Sequence, residues 1–410
     1  MEEQKSQKKP YIVLIACILF NMTIQVLYVW SLLKIEKMSV SYGGWGWSSQ
    51  EAGLPYTIVI IFFAVGVLIG GRIQDKIGPR WVATTGGAMV GLGMIISGLV
   101  GDDPLGVTIS FGVVSGLGIG FGYGSVLPAC LKWFHPEKKG LIGGLVLGGF
   151  GLATIHYAFI TSALLDKFDI QRTLIYIGVS VVVLSVTAAQ FVKNPPAGYI
   201  PGTLGNEKKS TVFIKTATDF KWKEMLKTKH FYLIFILFLF TASMGLMIIG
   251  NQAKIAYIQA EITSAVYLMS LVAVMNASGR ILGGFISDKI GRENTLYVAI
   301  ILQMINMIGF IFYQNVILLT FGFIVVGLCF GTFLAVFPVI TADLYGLKNY
   351  GVNYGIVYLA YGFAGVAAPV LADFIYDLNK SFEVAYIICA VIMAVMILIN
   401  FLLKKETSKN

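Results

Sequence analysis

Long apolar runs, each of about 20 residues, recur along this 410-residue sequence. An apolar helix of ~20 residues spans the ~30 Å hydrocarbon core of a bilayer. The runs are continuously apolar and do not alternate, which favours helices over a barrel. We therefore predict an all-α membrane protein with twelve transmembrane helices, lying within residues 11–33, 52–74, 81–101, 105–130, 141–164, 172–192, 230–250, 264–287, 295–313, 315–342, 351–376 and 383–403.

The composition excludes a soluble protein. Hydrophobic residues make up 57% of the chain and charged residues only 12%, too few charges to cover the surface of a soluble fold of this length. The glycine-rich stretch GFGYGSVLP (120–128) lies inside an apolar run and follows no strand, so it does not predict a phosphate-binding loop. Since no metal-ligand spacing and no nucleophile–base pair is recognised either, we expect neither an enzyme nor a metal or cofactor site.

Lysine and arginine are distributed unequally between the two sides of the predicted membrane. With the N-terminus inside, 23 of these residues fall on the inner side, including the linker, and six on the outer side. This bias predicts a multi-pass protein of the plasma (cell inner) membrane with both termini cytoplasmic. The net charge of +9 largely reflects the same bias, and no basic strip with interleaved aromatics indicates nucleic acid.

The sequence divides into two similar halves. A polar segment at 193–229 separates the sixth and seventh runs, so we predict a six-helix half at 1–192, a cytoplasmic linker at 193–229 and a second half at 230–410. The stretches GGRIQDKIGPR (70–80) and GGFISDKIGRE (283–293) repeat at an offset of 213, and several glycines repeat at an offset of 211. Duplicated six-helix halves pack about an axis along the membrane normal, with the substrate site between them.

These repeated loops resemble the signature of the major facilitator superfamily, and the resemblance covers the whole chain. It implies that the loops control which side of the transporter is open, with Asp75 or Asp288 capping a neighbouring helix or pairing with a basic residue. The predicted gating residues are Gly71, Asp75, Lys76, Gly78, Arg80, Gly284, Asp288, Lys289, Gly291 and Arg292. The other interpretation of each loop is a turn with solvated charges.

Arg280 is the charge that most needs an explanation. It precedes Asp288 by eight residues, about 12 Å along a helix at ~1.5 Å per residue, which places it near the midplane. A cation there costs at least ~2.5–3.5 kcal/mol, and no carboxylate is predicted at the same depth. Because a guanidinium fits a carboxylate with two parallel hydrogen bonds, we interpret Arg280 as the binding group for a carboxylate substrate. The alternative is an arginine satisfied by backbone carbonyls or a distant carboxylate.

Other polar residues are predicted to face the same cavity. Asn276 lies one helical turn before Arg280. Two stripes at helical spacing and one further tyrosine complete the predicted substrate site: Asn21, Gln25, Tyr28, Tyr354, Tyr358, Tyr361 and Tyr123. His156 is a candidate for proton coupling because it titrates near neutral pH, although a lone histidine is more often a hydrogen-bonded core residue.

The motif Asn276-x-x-x-Arg280 resembles the monocarboxylate transporters, which carry an aspartate at the first position. The segment YGVNYGIVYLAYGFAGVAAP (350–369) is similar to the oxalate/formate antiporters, which carry a lysine where Tyr361 stands here. One cation in place of two favours a substrate with a single negative charge. The resemblance thus implies a monomeric secondary active transporter of lactate, pyruvate or a similar small monocarboxylate, with proton symport. The alternative is an anion exchanger of the oxalate/formate type.

A channel and a cation exporter are disfavoured. A channel would repeat its pore ring in both halves, yet the positions equivalent to Arg280 are Ile69 or Val67. A cation exporter would place a carboxylate near the midplane, where none is predicted.

Overall fold

The computed structural model describes residues 2–27, 29–30, 33, 45–201, 219–262 and 266–408, and the regular secondary structure in these residues is entirely helical. Twelve helices carry the fold: α1 (Glu2–Ile24), α2 (Ser49–Ile77), α3 (Pro79–Val100), α4 (Pro104–Leu131), α5 (Lys139–Leu165), α6 (Ile170–Ala189), α7 (Lys229–Gly250), α8 (Val266–Ile290), α9 (Arg292–Phe310), α10 (Val316–Tyr345), α11 (Tyr350–Asn379) and α12 (Glu383–Thr407). Two short helices, Trp222–Met225 and Gln252–Ala260, precede and follow α7.

Helices α2 to α12 overlap the eleven apolar runs predicted between 52 and 403, and all eleven are long and apolar enough to cross a membrane. Several start at polar side chains that accept a hydrogen bond from the first turn, which satisfies a backbone N–H that has no partner within the helix. These N-caps are Ser48 for α2, Asp169 for α6, Thr228 for α7 and Asn315 for α10. The fold class predicted from hydropathy is confirmed.

The first helix differs from its predicted run. It begins at Glu2, its apolar part covers only Lys9–Ile24, and the helix ends at Ile24 because Gln25 and Val26 leave helical geometry. At this break, the Tyr157 hydroxyl donates to the Thr23 carbonyl at 2.5 Å, so the carbonyl freed by the break has a partner. An uninterrupted helix from 11 to 33 is therefore not what the described residues form.

Helix α4 also departs from regular α geometry. Its stretch Thr108–Ser115 is a π-helix between the α-helical segments Pro104–Val107 and Gly116–Leu131. One extra residue per turn rotates the faces of the following segment relative to the preceding one.

Two tight turns connect the helices that carry the repeated loops. Gly78, between α2 and α3, has φ +90°, and Gly291, between α8 and α9, has φ +92°. A side chain at either position would be strained in this left-handed region, which explains why the repeat places glycine at both.

The N-terminal half (α1–α6) and the C-terminal half (α7–α12) meet chiefly along two helix pairs, α2 with α11 and α5 with α8, and to a smaller extent between α5 and α10 and between α4 and α11. The glycines of α5 lie at this interface: Gly140 packs on Gly284, Gly144 on the Arg280 carbonyl and Gly148 on Ile281. The α4 glycines spaced every four residues, Gly112, Gly116, Gly120 and Gly124, instead face α2 within the N-terminal half. Small residues let backbones approach closely in both places, but only the α5 series contacts the opposite half.

Candidate functional site: a buried guanidinium between the halves

Arg280 lies on α8 and is buried, with 4% of its surface exposed. Its Nε donates to the Asn276 side-chain oxygen at 3.1 Å, one turn back on the same helix. Its Nη1 donates to the backbone carbonyl of Leu147 on α5 at 2.8 Å. The guanidinium of one half is thus hydrogen-bonded to the backbone of the other half.

No carboxylate within the described ranges forms an ion pair with Arg280. Asp343 of α10, an acid on a helix that packs against α8, is paired elsewhere: with Lys139 at 2.9 Å and with Arg292 at 3.0 Å. A guanidinium has five N–H donors, and backbone and amide oxygens accept only two of its hydrogen bonds among the described residues. Among the residues that the structure describes, the buried positive charge is therefore solvated by neutral dipoles and not neutralised by an anion.

A connected set of aromatic side chains from both halves begins beside this cation. The guanidinium carbon lies 5.7 Å from the ring centroid of Phe150, close enough for a cation–π attraction. Phe150 is 5.1 Å from Tyr123, and Tyr123 is 5.3 Å from Tyr358 of the other half. We call the connected set the aromatic wall; its members are Phe63, Tyr123, Phe150, Phe238, Phe337, Tyr354, Tyr358 and Tyr361.

The structure brings together several residues that the sequence predicted for the site. Asn276 contacts the guanidinium directly, and Tyr123, Tyr354, Tyr358 and Tyr361 belong to the aromatic wall. Tyr354 stacks on the preceding turn's Tyr350, with ring centroids 5.4 Å apart, so the stripe on α11 extends beyond the predicted three tyrosines.

The polar stripe on α1 has a different role for each member. Asn21 is fully buried and donates from Nδ2 to the Val146 carbonyl at 2.9 Å, next to the carbonyl that Arg280 uses. Gln25 is 5% exposed, lies at the break of α1, and its side-chain oxygen has no hydrogen-bond partner among the described residues. Tyr28 lies outside the described residues.

His156 lies on α5, half-buried, with its ring 4.3 Å from the ring of Tyr157. Tyr157 in turn bonds to the break in α1 through Thr23. The histidine is therefore connected to the discontinuous part of α1 by a single intervening side chain.

Sequence reasoning missed the phenylalanines of the aromatic wall and the Leu147 carbonyl. Phe63, Phe150 and Phe238 are apolar residues in apolar helices, so no pattern in the sequence distinguishes them. A backbone carbonyl carries no sequence signal at all. The glycines Gly143, Gly144, Gly148 and Gly149 around Leu147 were the one available indication that α5 is closely approached there.

Two contacts join the halves at the end of the bundle that carries the linker, which we call the linker end. In the first, the α2 latch, the carboxylate of Asp75 accepts hydrogen bonds from the backbone N–H groups of Gly351 at 3.1 Å and Val352 at 3.0 Å. These are the first free donors of α11, so the carboxylate caps a helix of the opposite half. Gln74 donates to the same carboxylate at 2.6 Å.

The second contact, the α8 latch, is the equivalent arrangement in the other direction. The carboxylate of Asp288 accepts from Gly140 N at 2.8 Å and Leu141 N at 2.7 Å at the start of α5. Here a charged network continues the contact: Arg292 donates to Asp288 at 2.6 Å and pairs with Asp343, which also binds Lys139. Asp288 and Arg292 side chains are only 9% and 12% exposed.

The other predicted gating residues take different positions. Lys76 and Lys289 are exposed, and Lys289 lies over the ring of Phe285. Arg80 does not join the α2 latch but donates to the side-chain oxygen of Gln190 on α6. Lys132, which follows α4, is a cation whose charge acts on the Asp75 carboxylate. Burial lowers the pKa of the Lys132 ammonium, and the negative charges of Asp75 and Asp219 oppose this shift.

Comparison with known proteins decides the family. The family model of the Major Facilitator Superfamily matches residues 11–325 and 304–410, which together cover nearly the whole chain. The chain belongs to this superfamily. A solved structure of the superfamily's proton:xylose symporter, bound to 6-bromo-6-deoxy-D-glucose, is similar in fold, with a TM-score of 0.75 at 12% identity over 96% of this chain and 95% of that one.

Relatives in the superfamily include three that are informative. A protein of Escherichia coli named as an uncharacterized MFS-type transporter is 26% identical over 89% of this chain and 88% of its own. The oxalate:formate antiporter of Oxalobacter formigenes is 28% identical over 72% of this chain and 69% of its own. Monocarboxylate transporter 12 of Mus musculus is 22% identical over 82% and 74%. This superfamily member is thus a multi-pass membrane protein with relatives of the monocarboxylate and oxalate:formate types.

Proposed function

We propose that this chain is a secondary active transporter of a small monocarboxylate such as lactate or pyruvate. It works as a monomer in the plasma membrane, with both termini and the linker end cytoplasmic. The observation that carries this proposal is a guanidinium, 4% exposed, with no carboxylate partner in the described part of the chain. A substrate carboxylate supplies the negative charge that the described residues do not provide. It can accept two parallel hydrogen bonds from the planar guanidinium group of Arg280.

Substrate binding at Arg280 changes a contact between the halves. The guanidinium is now hydrogen-bonded to the Leu147 carbonyl, and an incoming carboxylate is the stronger acceptor because it is charged. Exchange of the carbonyl for the substrate releases α5 from α8 at this point. A ligand shifts a conformational equilibrium when it binds one of the two conformations more tightly than the other.

A single negative charge fits the surroundings better than two. One arginine is the cation at the site, and Tyr361, stacked on Tyr358 at 5.0 Å, stands where the oxalate/formate family carries a lysine. The aromatic wall offers ring faces and hydroxyl groups to the short carbon chain of the acid. A dicarboxylate would leave one charge desolvated among these rings.

Alternating access uses the two latches. With Asp75 capping α11 and Asp288 capping α5, the linker end is held closed. Opening toward the cytoplasm requires both carboxylates to leave their helix ends. Each latch therefore stabilises the outward-facing state relative to the inward-facing state.

Proton symport is the proposed coupling, with His156 as the carrier, since it is half-buried and linked through Tyr157 to the break in α1. One observation favours anion exchange as the second candidate. The residue one turn before Arg280 is Asn276, whose side chain does not titrate and whose oxygen accepts from the guanidinium.

The test uses purified protein in proteoliposomes, with labelled lactate and pyruvate and imposed pH gradients of both signs. Arg280→Gln should lower uptake at least about a hundredfold, since breaking a desolvated ion pair costs ~3–5 kcal/mol. The exposed Lys167→Gln, which removes one charge elsewhere, serves as the matched control. Uptake by Arg280→Gln within threefold of the control would overturn the carboxylate assignment.

The same vesicles separate the two couplings. Symport predicts accumulation driven by an inward proton gradient and lost in His156→Gln. Exchange predicts uptake that needs a trans anion such as formate and does not respond to the pH gradient.

A further inference from the structure

A cleft of about 460 Å³ lies at the linker end of the N-terminal half, away from Arg280 and from both latches. It is bounded by the start of α1, the residues after α4 and the first residues of the linker. Lys9 and Lys193 line it together with Asn194, and Ile12, Phe191 and Tyr199 supply its apolar and aromatic walls.

The linker side of this cleft is held in place by hydrogen bonds. Trp133 donates from its indole nitrogen to the Lys193 carbonyl at 2.7 Å, and the Tyr199 hydroxyl donates to the Trp133 carbonyl at 3.1 Å. The rings of Trp133 and Tyr199 also contact each other, with centroids 5.1 Å apart. The backbone that carries Lys193 and Asn194 is therefore fixed before any ligand arrives.

The cleft has a positive character. Its lining contains two lysines and no aspartate or glutamate among the described residues. Lysines in this setting attract the negative charge of a phosphate group. The Asn194 side chain adds a neutral hydrogen-bonding group to the lining and accepts from Lys132 at 3.4 Å.

The apolar wall of the cleft continues along the outside of the helix bundle. Ile12 and Phe191 are 48% and 52% exposed, and Ile15 and Leu19 of α1 follow at 56% and 51%. In a membrane-spanning protein such side chains face lipid. A row of them starting beside two lysines matches a molecule with an anionic head and long apolar chains.

We propose that this cleft binds one phospholipid with an anionic headgroup, in the leaflet at the linker end. Lys9 and Lys193 contact the phosphate, Asn194 and Tyr199 lie beside the headgroup, and the acyl chains run along Ile12, Ile15 and Leu19. The binding site is independent of the transported substrate. It joins α1 of the N-terminal half to the first residues of the linker through one lipid, so that the two move together.

The experiment is native mass spectrometry of the full chain in detergent, titrated separately with dioleoyl phosphatidylglycerol and dioleoyl phosphatidylcholine. We expect one phosphatidylglycerol to bind at least tenfold more tightly than phosphatidylcholine. In the double variant Lys9→Gln/Lys193→Gln this affinity should fall roughly thirtyfold, because each lysine near the surface contributes about fivefold. Lys9→Arg/Lys193→Arg keeps the charge and should retain binding within threefold.

The matched control is Lys404→Gln/Lys405→Gln, which removes two exposed lysines at the linker end of α12. Equal losses in the control and in the cleft variant would mean general surface attraction and would overturn the site. Binding of sn-glycerol 1-phosphate as tight as that of the lipid would show a soluble phosphate site instead. Equal affinity for both lipids would remove the role of the lysines.

Discussion

The linker end of this transporter is nearly symmetric between its halves, whereas its centre is not. At the linker end, Gly71 packs on Gly351 and Gly284 packs on Gly140, two contacts related by the sequence repeat. At the centre, Arg280 has no counterpart, since Val67 or Ile69 occupies the equivalent position. Under the proposed function, the repeated residues serve the movement of the halves and the unrepeated residue serves recognition.

The symmetry of the latches does not extend to their charges. Asp288 is paired with Arg292 and, through Asp343, with Lys139, while Asp75 is bonded to Gln74 and two backbone N–H groups. Arg80, the residue at the matching end of the loop, is bonded within its own half. The same sequence motif therefore builds one charged latch and one that depends on a helix cap.

Among changes at the linker end, the largest effect is expected from breaking the symmetric contact itself. A Cβ at Gly71 or Gly284 would overlap the backbone carbonyl of Gly351 or Gly140, and backbone does not yield as a side chain does. Gly71→Val and Gly284→Val should each reduce transport more than tenfold and should do so within about threefold of each other, because interfaces packed at native density repel added volume.

The measurement is initial uptake in proteoliposomes, with labelling of a cysteine introduced at the linker end to report opening. Gly143→Ala is the control, since its added Cβ would meet only the side chains of Val339 and Leu127. A loss confined to one of the two valine variants would show that the latches are not equivalent in closing the linker end.

An intermediate effect should separate the two latches. Asp288→Asn leaves Arg292 in a buried network without one of its acids, so the free energy of unfolding should fall by about 2–4 kcal/mol. Asp75→Asn removes a charged acceptor from a helix N-terminus with no arginine bound to it, and the expected loss is about 1 kcal/mol.

Thermal unfolding in one detergent, with the exposed Asp166→Asn as a control, measures this difference. Equal destabilisation by the two substitutions would mean that Arg292 and Asp343 add nothing to the α8 latch. A larger loss for Asp75→Asn would reverse the proposed ranking.

Much of this architecture is encoded in hydropathy and repetition. Long apolar helices such as α10 must satisfy their backbone internally, so their positions follow directly from the apolar runs. The repeated loops in the sequence predicted where both latches lie. Only the tertiary structure reveals that Arg292 pairs with Asp343, whereas Arg80 donates a hydrogen bond to Gln190. The offset of 211 between Gly140 and Gly351 was a usable signal for the latch partners, because the structure pairs each with the loop of the opposite half.

The site was less accessible to sequence reasoning. Arg280 is conspicuous because a lone charge in an apolar run is costly, but its acceptor, the Leu147 carbonyl, depends on how α5 and α8 cross. The break at Gln25 and the π segment of α4 likewise depend on neighbouring helices and have no marker of their own. Phe150 is recognised as a site residue only from its contact with the Arg280 guanidinium in the structure.

The most direct test of the central claim is equilibrium binding to the purified protein, measured by isothermal titration calorimetry with lactate and with its neutral isostere lactamide. Lactate should bind, and lactamide should bind at least about a hundredfold more weakly, because the neutral amide cannot supply the negative charge that pairs with the Arg280 guanidinium. Arg280→Gln should abolish the preference for lactate, while Lys167→Gln should preserve it. Comparable affinity for lactate and lactamide in the wild-type protein, or an unchanged preference in Arg280→Gln, would show that Arg280 does not bind a substrate carboxylate.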